Sequence, residues 1–252
     1  MRCTTPPREL SQAGFMAGLD ALTAVYLAAM KPDPAQLPGR RSIMARHATF
    51  RGFRALAVTA GDADGTRDTG GTREGDRIRQ AGGTRVEAPA VRSAAGHSDR
   101  GHQPGHDPAH RADEIIAFSY AFSGQNGQWW HDVVAAALIA KSGPKVATQW
   151  LADSLEIAEV HVHPDYHRRG IGRSLVLGLA DGRQERTAVL STQDAQSPAR
   201  HLYRRLGFTD LLTGYAFPGT PVPYAVMGAE LPLADRAAAE PGAPRSPSPS
   251  RP

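Results

Sequence analysis

Residues 163–172, His-Pro-Asp-Tyr-His-Arg-Arg-Gly-Ile-Gly, place two arginines and two glycines between an apolar run and a helical pattern. Where a strand feeds a helix, the helix's unpaired N–H groups point at whatever lies beyond the strand, which suits an oxyanion. Gly170 and Gly172 remove side chains that would hold a ligand away, and Gly170 can adopt a positive φ. Arg168 and Arg169 add positive charge beside them. A pyrophosphate fits such a cradle better than a single carboxylate. The P-loop pattern is absent, since no Gly-Lys-Ser/Thr follows. The dinucleotide fingerprint also fails, because Leu175 stands where its third glycine belongs.

A second chemical group lies in residues 196–208, QSPARHLYRRLGF. Ala199, Leu202, Tyr203 and Leu206 share a helical face, while Arg200, Arg204 and Arg205 lie mainly outside it. The Tyr203 phenol could be an ordinary amphipathic core residue or a proton donor. Residues 155–162, LEIAEVHV, hold the titratable candidates Glu156, Glu159 and His161. On an ideal strand Glu156 and Glu159 fall on opposite faces, and His161 shares the face of Glu159. His-Val-His resembles alternating metal ligands, but no third ligand at coherent spacing joins it, so no metal is expected.

These groups must be positioned by ordered elements. Residues 10–30 read as a helix, with Phe15, Leu19, Leu22 and Tyr26 at three- and four-residue spacing. Residues 41–47 suggest a short helix, and 53–59 a strand. Order resumes at Glu114 with a strand over 115–122, a turn at 124–127, and a strand or strand–helix junction over Trp129–Leu138. Strand 155–162, helix 170–182, strand 187–192 and helix 197–206 follow. Ser197 can cap that last helix, Pro198 fits its first turn, and Gly207 follows its end. Residues 208–212 and 224–231 close the series as strands. The pattern predicts one α/β domain with a central mixed, mostly antiparallel sheet flanked by helices.

The stretch 61–110 is rich in glycine, and its only large aliphatic residues are Ile78, Val86 and Val91. It has too little apolar surface to offset the entropy of ordering it, and it reads as a disordered insertion. Its histidines at 97, 102, 106 and 110 read as part of a solvated linker, since Pro108 interrupts any helix aligning the last pair. Residues 232–252 are Ala-, Pro- and Ser-rich and read as a tail. The domain therefore spans 10–231 with 61–110 inserted. A formal charge of +4 and a pI near 9.5 permit an anionic ligand but argue weakly for nucleic acid. The lone Cys3 excludes an intrachain disulfide framework, and no apolar run is long enough to span a membrane. A cytoplasmic protein, monomer or homodimer, without nucleic-acid or membrane partners, is the expectation.

Taken together, HPDYHRRGIG and ARHLYRRLGF resemble the GCN5-related N-acetyltransferase (GNAT) superfamily. Its pyrophosphate loop runs Gln/Arg-x-x-Gly-x-Gly/Ala, matched here by His167, Arg168, Arg169, Gly170, Ile171 and Gly172, with His in the first position. The resemblance implies an acetyl-CoA-dependent N-acyltransferase in which an acceptor amine, on a small molecule or a protein amino terminus, attacks the thioester directly. It implies that acetyl-CoA lies between splayed parallel strands at 155–162 and 187–192. The backbone around Val160–Val162 would bond its pantetheine arm, and the amides of 168–173, Arg173 included, would hold its pyrophosphate. It makes Tyr203 the candidate general acid and Glu159 or His161 the leading candidate base, with no dedicated side-chain base as the next reading and Glu156 behind that. The acceptor would enter beside the first helices and residues 118–130, where Tyr120, Phe122, Trp129 and Trp130 offer aromatic surface, one tryptophan being core. A catalytically degenerate CoA-binding or interaction module is the alternative reading.

Overall fold

The computed structural model describes residues 6–32, 37–64, 112–220 and 222–234. In chain order the elements are β1 (Arg8–Leu10), α1 (Gln12–Ala17), α2 (Leu19–Met30), α3 (Leu37–His47), β2 (Arg54–Thr59) and α4 (Ala60–Asp64). They continue with β3 (Ile115–Ser123), α5 (Trp129–Ser142), α6 (Pro144–Leu151), β4 (Ser154–Val162) and a single 3-10 turn at Pro164–Tyr166. Last come α7 (Ile171–Ala180), β5 (Thr187–Gln193), α8 (Pro198–Arg205), β6 (Thr209–Ala216) and β7 (Pro223–Glu230).

The strands form one sheet in the order β1-β2-β3-β4-β5-β7-β6. Every pairing is antiparallel except β4 with β5. That pair is parallel because α7 carries the chain back across the sheet between them. The result is a mixed, mostly antiparallel sheet flanked by helices, as the sequence pattern predicts.

Two faces of this sheet bury different residues. One face packs Leu56, Val58, Leu155, Ile157 and Leu190 against Ile171, Leu175 and Leu179 of α7 and Tyr203 of α8. Ile171, Leu175 and Leu179 recur every four residues, so one stripe of α7 meets the sheet. Each such side chain, fully buried, contributes about 1.5–3 kcal/mol. Gly178 lets the helix approach, since a Cβ there would lie 2.8 Å from Leu56 Cδ1. The opposite face carries two separate clusters. Phe118, Tyr120 and Phe122 of β3 pack with α1, α2 and α3, while Val189 and Val226 pack with Val134, Leu138 and Leu151 of α5 and α6. β4 runs along the seam between them.

Several expectations need correcting. The helix of 10–30 divides into α1 and α2 at Gly18, after a short strand pairing with β2. Trp129–Leu138 is helix, not strand. Val133 and Val134 suggest β structure, but Trp130, Val134 and Leu138 recur at helical spacing and cover β5 and β7. The first residues of the stretch expected to be a disordered insertion are ordered, because Ala60–Asp64 is helical. There Asp62 is buried and its carboxylate accepts hydrogen bonds from the Thr59 amide (3.0 Å) and hydroxyl (2.8 Å). Residues 65–110, with their four histidines, lie outside the described residues. So does the tail beyond Ala234, although Leu233 packs against the core.

Candidate active site

β4 and β5 are bonded only at Ser154–Thr187, Leu155–Ala188 and Glu156–Val189. Beyond that point β4 pairs only with β3, and β5 only with β7. The facing backbone edges of Ile157–Val162 and Leu190–Gln193 open into a V with Glu156 at its apex. Such an edge offers main-chain donors and acceptors to an extended ligand. Val160 and Val162 lie on this open arm, their side chains packed toward the α7 face.

The V leads to the turn before α7. Arg168 (φ 63) and Gly170 (φ 82) are left-handed and bracket Arg169. Alternating handedness turns successive amides to one side, forming an anion-binding concavity that continues into the N-terminus of α7 at Ile171. Arg168 makes no hydrogen bond or ion pair with another described residue, which leaves its guanidinium for a ligand. Gly172 keeps the first turn of α7 bare above Leu202 and Val162.

Two predicted phosphate ligands are occupied otherwise. His167 Nε2 lies 3.0 Å from the Val162 carbonyl, so its N–H braces the turn against the end of β4. Arg169 donates to Asp64 at 2.8 Å and stacks 4.8 Å over the Tyr166 ring. Arg173 lies half-buried on the first turn of α7.

The titratable groups are ordered by an irregularity in β4. Tyr120 lies opposite Glu159, but its neighbour Ala121 lies opposite Ile157, leaving Ala158 as an extra residue. This β-bulge changes which way the strand points. Phe118, Tyr120 and Phe122, all on one face, lie opposite His161, Glu159 and Glu156. Glu156 and Glu159 therefore share a face, contrary to the ideal-strand expectation. The bulge also explains why Ile157 and Val160, three apart, both face α7.

Glu159 is fully engaged. One carboxylate oxygen accepts from Arg40 of α3 at 2.5 Å, and the other contacts His161 Nε2. Burial alone would raise its pKa, but His161 and then Arg40 hold it below the usual carboxylate value. Arg40 also lies 4.6 Å over the Tyr26 ring, and Tyr26 meets the His161 ring edge-on. Nearby, His47 Nδ1 is 3.1 Å from the Tyr120 hydroxyl, and burial pushes the His47 pKa down to about 4. Glu156 is the reverse of Glu159. It is 4% exposed, its Oε2 has no hydrogen-bond partner among the described residues, and burial pushes its pKa up to about 8.

Tyr203 approaches the V from the other face. It is 8% exposed on α8 and packs against Phe208. Burial, helped by the negative charge of Glu159, pushes its pKa up to about 12. α8 is anchored by the Ser197 cap and by buried Arg200, which pairs with Asp194 and Asp210. The aromatic surface expected for an acceptor is only partly there. Tyr120 and Phe122 are fully buried, Trp130 is half-buried and donates to Ser191 Oγ at 3.1 Å, and Trp129 is 57% exposed.

Residues 125–210 match the family model of the acetyltransferase (GNAT) domain. Over this segment the chain is similar to the GNAT acetyltransferase family. The match takes in β4, the turn, α7, β5 and α8, so every strand and helix of the V belongs to it. The GNAT segment also resembles a GCN5-like protein acetyltransferase, Rv2170, of Mycobacterium tuberculosis, 38% identical over 123 residues. That alignment covers 47% of this chain and 60% of the relative, so the chain spans under two thirds of the relative's length. Among solved structures the chain is similar to Arabidopsis thaliana NAA60 in complex with a bisubstrate analogue. The identity is 16%, the TM-score 0.46, and the coverage 85% of this chain and 92% of that one. It is likewise similar to a chain of the NatC complex bound to Gag peptide and CoA, at 12% identity and TM-score 0.49, covering 92% and 99%.

Among the described residues no group of three His, Cys, Asp or Glu side chains could hold a metal ion. No helix there is long and apolar enough to cross a membrane. Sequence reasoning missed Arg40 and Asp64 as partners of the GNAT elements. Neither sits in a motif, and each meets its partner across more than a hundred residues.

Proposed function

We propose that the protein is an acetyl-CoA-dependent N-acetyltransferase that transfers the acetyl group directly to a primary amine. The observation that carries this is the V between β4 and β5, with an amide-lined turn at its open end and a buried tyrosine beside it. The open edge of Ile157–Val162 suits the amide-bearing pantetheine arm. The turn amides with Arg168 suit the pyrophosphate, Gly172 leaving them uncovered. Acetyl-CoA supplies the activated thioester.

The neutral amine attacks the thioester carbon, the C–S bond breaks, and one proton is lost for each amide formed. Glu156 is the better-matched base in this reading. Its carboxyl sits at the apex of the V without a partner, and a pKa of about 8 suits removal of a proton near neutrality, through a water. Glu159 is held ionised by His161 and Arg40, which makes it a weak base and a fixed charge that orients His161. Tyr203 serves as hydrogen-bond donor to the leaving sulfur. Its pKa of about 12 exceeds a thiol reference near 8.5, so it steadies the thiolate without surrendering its proton fully. His167 acts by shaping the turn through Val162.

Thiol release from acetyl-CoA against a panel of amines, paired with calorimetry for CoA, tests this. The reading predicts amine-dependent release. CoA binding without release for any amine would favour the binding-module alternative, and absence of CoA binding would sink both.

A further inference from the structure

The helices flanking the Glu156–His161 face carry an unusual charge balance. α3 contains Arg40, Arg41 and Arg46 and no acidic residue. Two of the carboxylates within reach are already countered. Asp20 of α2 pairs with Arg41, and Glu159 is shared by Arg40 and His161. Neutral His47, bonded to Tyr120, adds no negative charge. Glu156 is the one carboxyl of this wall left without a partner among the described residues, and it is the group assigned to take the acceptor's proton, so a polyamine or other polycationic amine finds no further carboxylate here for a second cation.

Arg40 offers the opposite. Its side chain is 32% exposed, and the Tyr26 ring and Glu159 hold the guanidinium in place. Nη1 donates to Glu159 and the guanidinium also hydrogen-bonds Tyr26, which still leaves donors of the five-donor fork on its exposed side. Those remaining donors match a carboxylate.

We propose that the acceptor is a small amine bearing a carboxylate on or near its amine-bearing carbon, an α-amino acid being the simplest case, and that Arg40 selects it. This rests on the acetyltransferase reading of the same site. In such a molecule the two groups are joined through one carbon. Fixing the carboxylate on Arg40 therefore leaves the amine beside Glu159 and His161, on the β4 face that leads to Glu156. Arg40 recognises the acceptor; it takes no part in proton transfer.

The test compares matched acceptors, free α-amino acids against their carboxamides, with spermidine as a polycation, in the thiol-release assay. The free acid should be preferred over its amide by about tenfold or more in kcat/KM, expressed in KM. In Arg40→Gln that ratio should fall to near one, Arg40→Lys should restore part of it, and Arg41→Gln should leave it intact. Calorimetry showing CoA bound by Arg40→Gln excludes misfolding as the cause. Amides or spermidine used as well as the free acids, or Arg40→Gln slowing acid and amide equally, would overturn the proposal while leaving the transferase reading intact. No release with any amine would overturn the transferase reading itself.

Discussion

Replacing Glu156 with Gln tests the base assignment through two independent readouts. The substitution keeps shape and removes the ionisable group from a site where burial pushes its pKa from 4.5 to about 8. The folded state thus keeps its proton over a range where the unfolded chain has lost it. Stability from this group is fully present below about 4.5 and lost as pH rises to about 8. Each pH unit in that window costs about 1.4 kcal/mol, accumulating to about 5 kcal/mol. Denaturant unfolding of the wild type should therefore weaken from pH 5 to 8 relative to Glu156→Gln, and the two curves should run parallel above that. Turnover supplies the second readout. Wild-type kcat should rise with pH and level off above about 8, whereas Glu156→Gln should lose that inflection and fall by about 10²–10⁴. Parallel stability curves across pH 5–8, with turnover within twofold of wild type, would refute both the burial argument and the catalytic role.

Tyr203→Phe should lower kcat about tenfold or more and leave CoA affinity by calorimetry little changed, because it removes a donor met only by the developing thiolate. His167→Ala should weaken CoA binding severalfold by releasing the brace on Val162. His167→Gln, which can still donate to that carbonyl, should retain most of the affinity, and equal loss in both would dismiss the bracing role. Gly170→Ala forces a Cβ into a left-handed residue (φ 82), so thermal unfolding should report a loss of about 1–2 kcal/mol together with weaker CoA binding.

The left-handed turn before α7 was legible because its determinants are local. Glycines at 170 and 172 and arginines at 168 and 169 act through backbone conformation and adjacency, and both survive reading in one dimension. α8 was legible for the same reason: Ser197 does cap it, accepting from the Arg200 amide. Less was legible where an element's identity depends on what it covers. α5 contains paired valines that suit a strand, and only its packing on β5 and β7 decides for helix. The interval before β4 shows no strong pattern, yet its residues form α6, whose Leu151 completes the same cluster.

By itself, the sequence determined the mixed α/β plan and the order of strands and helices around the turn, while Tyr203 was singled out only through the family resemblance. The plan and the order follow from periodicity, capping and backbone freedom, which are properties of neighbours in the chain. Tertiary structure alone decided the roles of the acidic residues. A single extra residue, Ala158, turns Glu156 and Glu159 to one face, and alternation cannot reveal a bulge that exists only in register with β3. Burial pushes both carboxyls toward the protonated form, and their partners then separate them. His161, and then Arg40 from 119 positions away, hold Glu159 ionised, while Glu156 finds no partner among the described residues and keeps its proton toward pH 8. Charge and desolvation act through space, so two glutamates three residues apart acquire opposite chemistry only once the chain has folded around them.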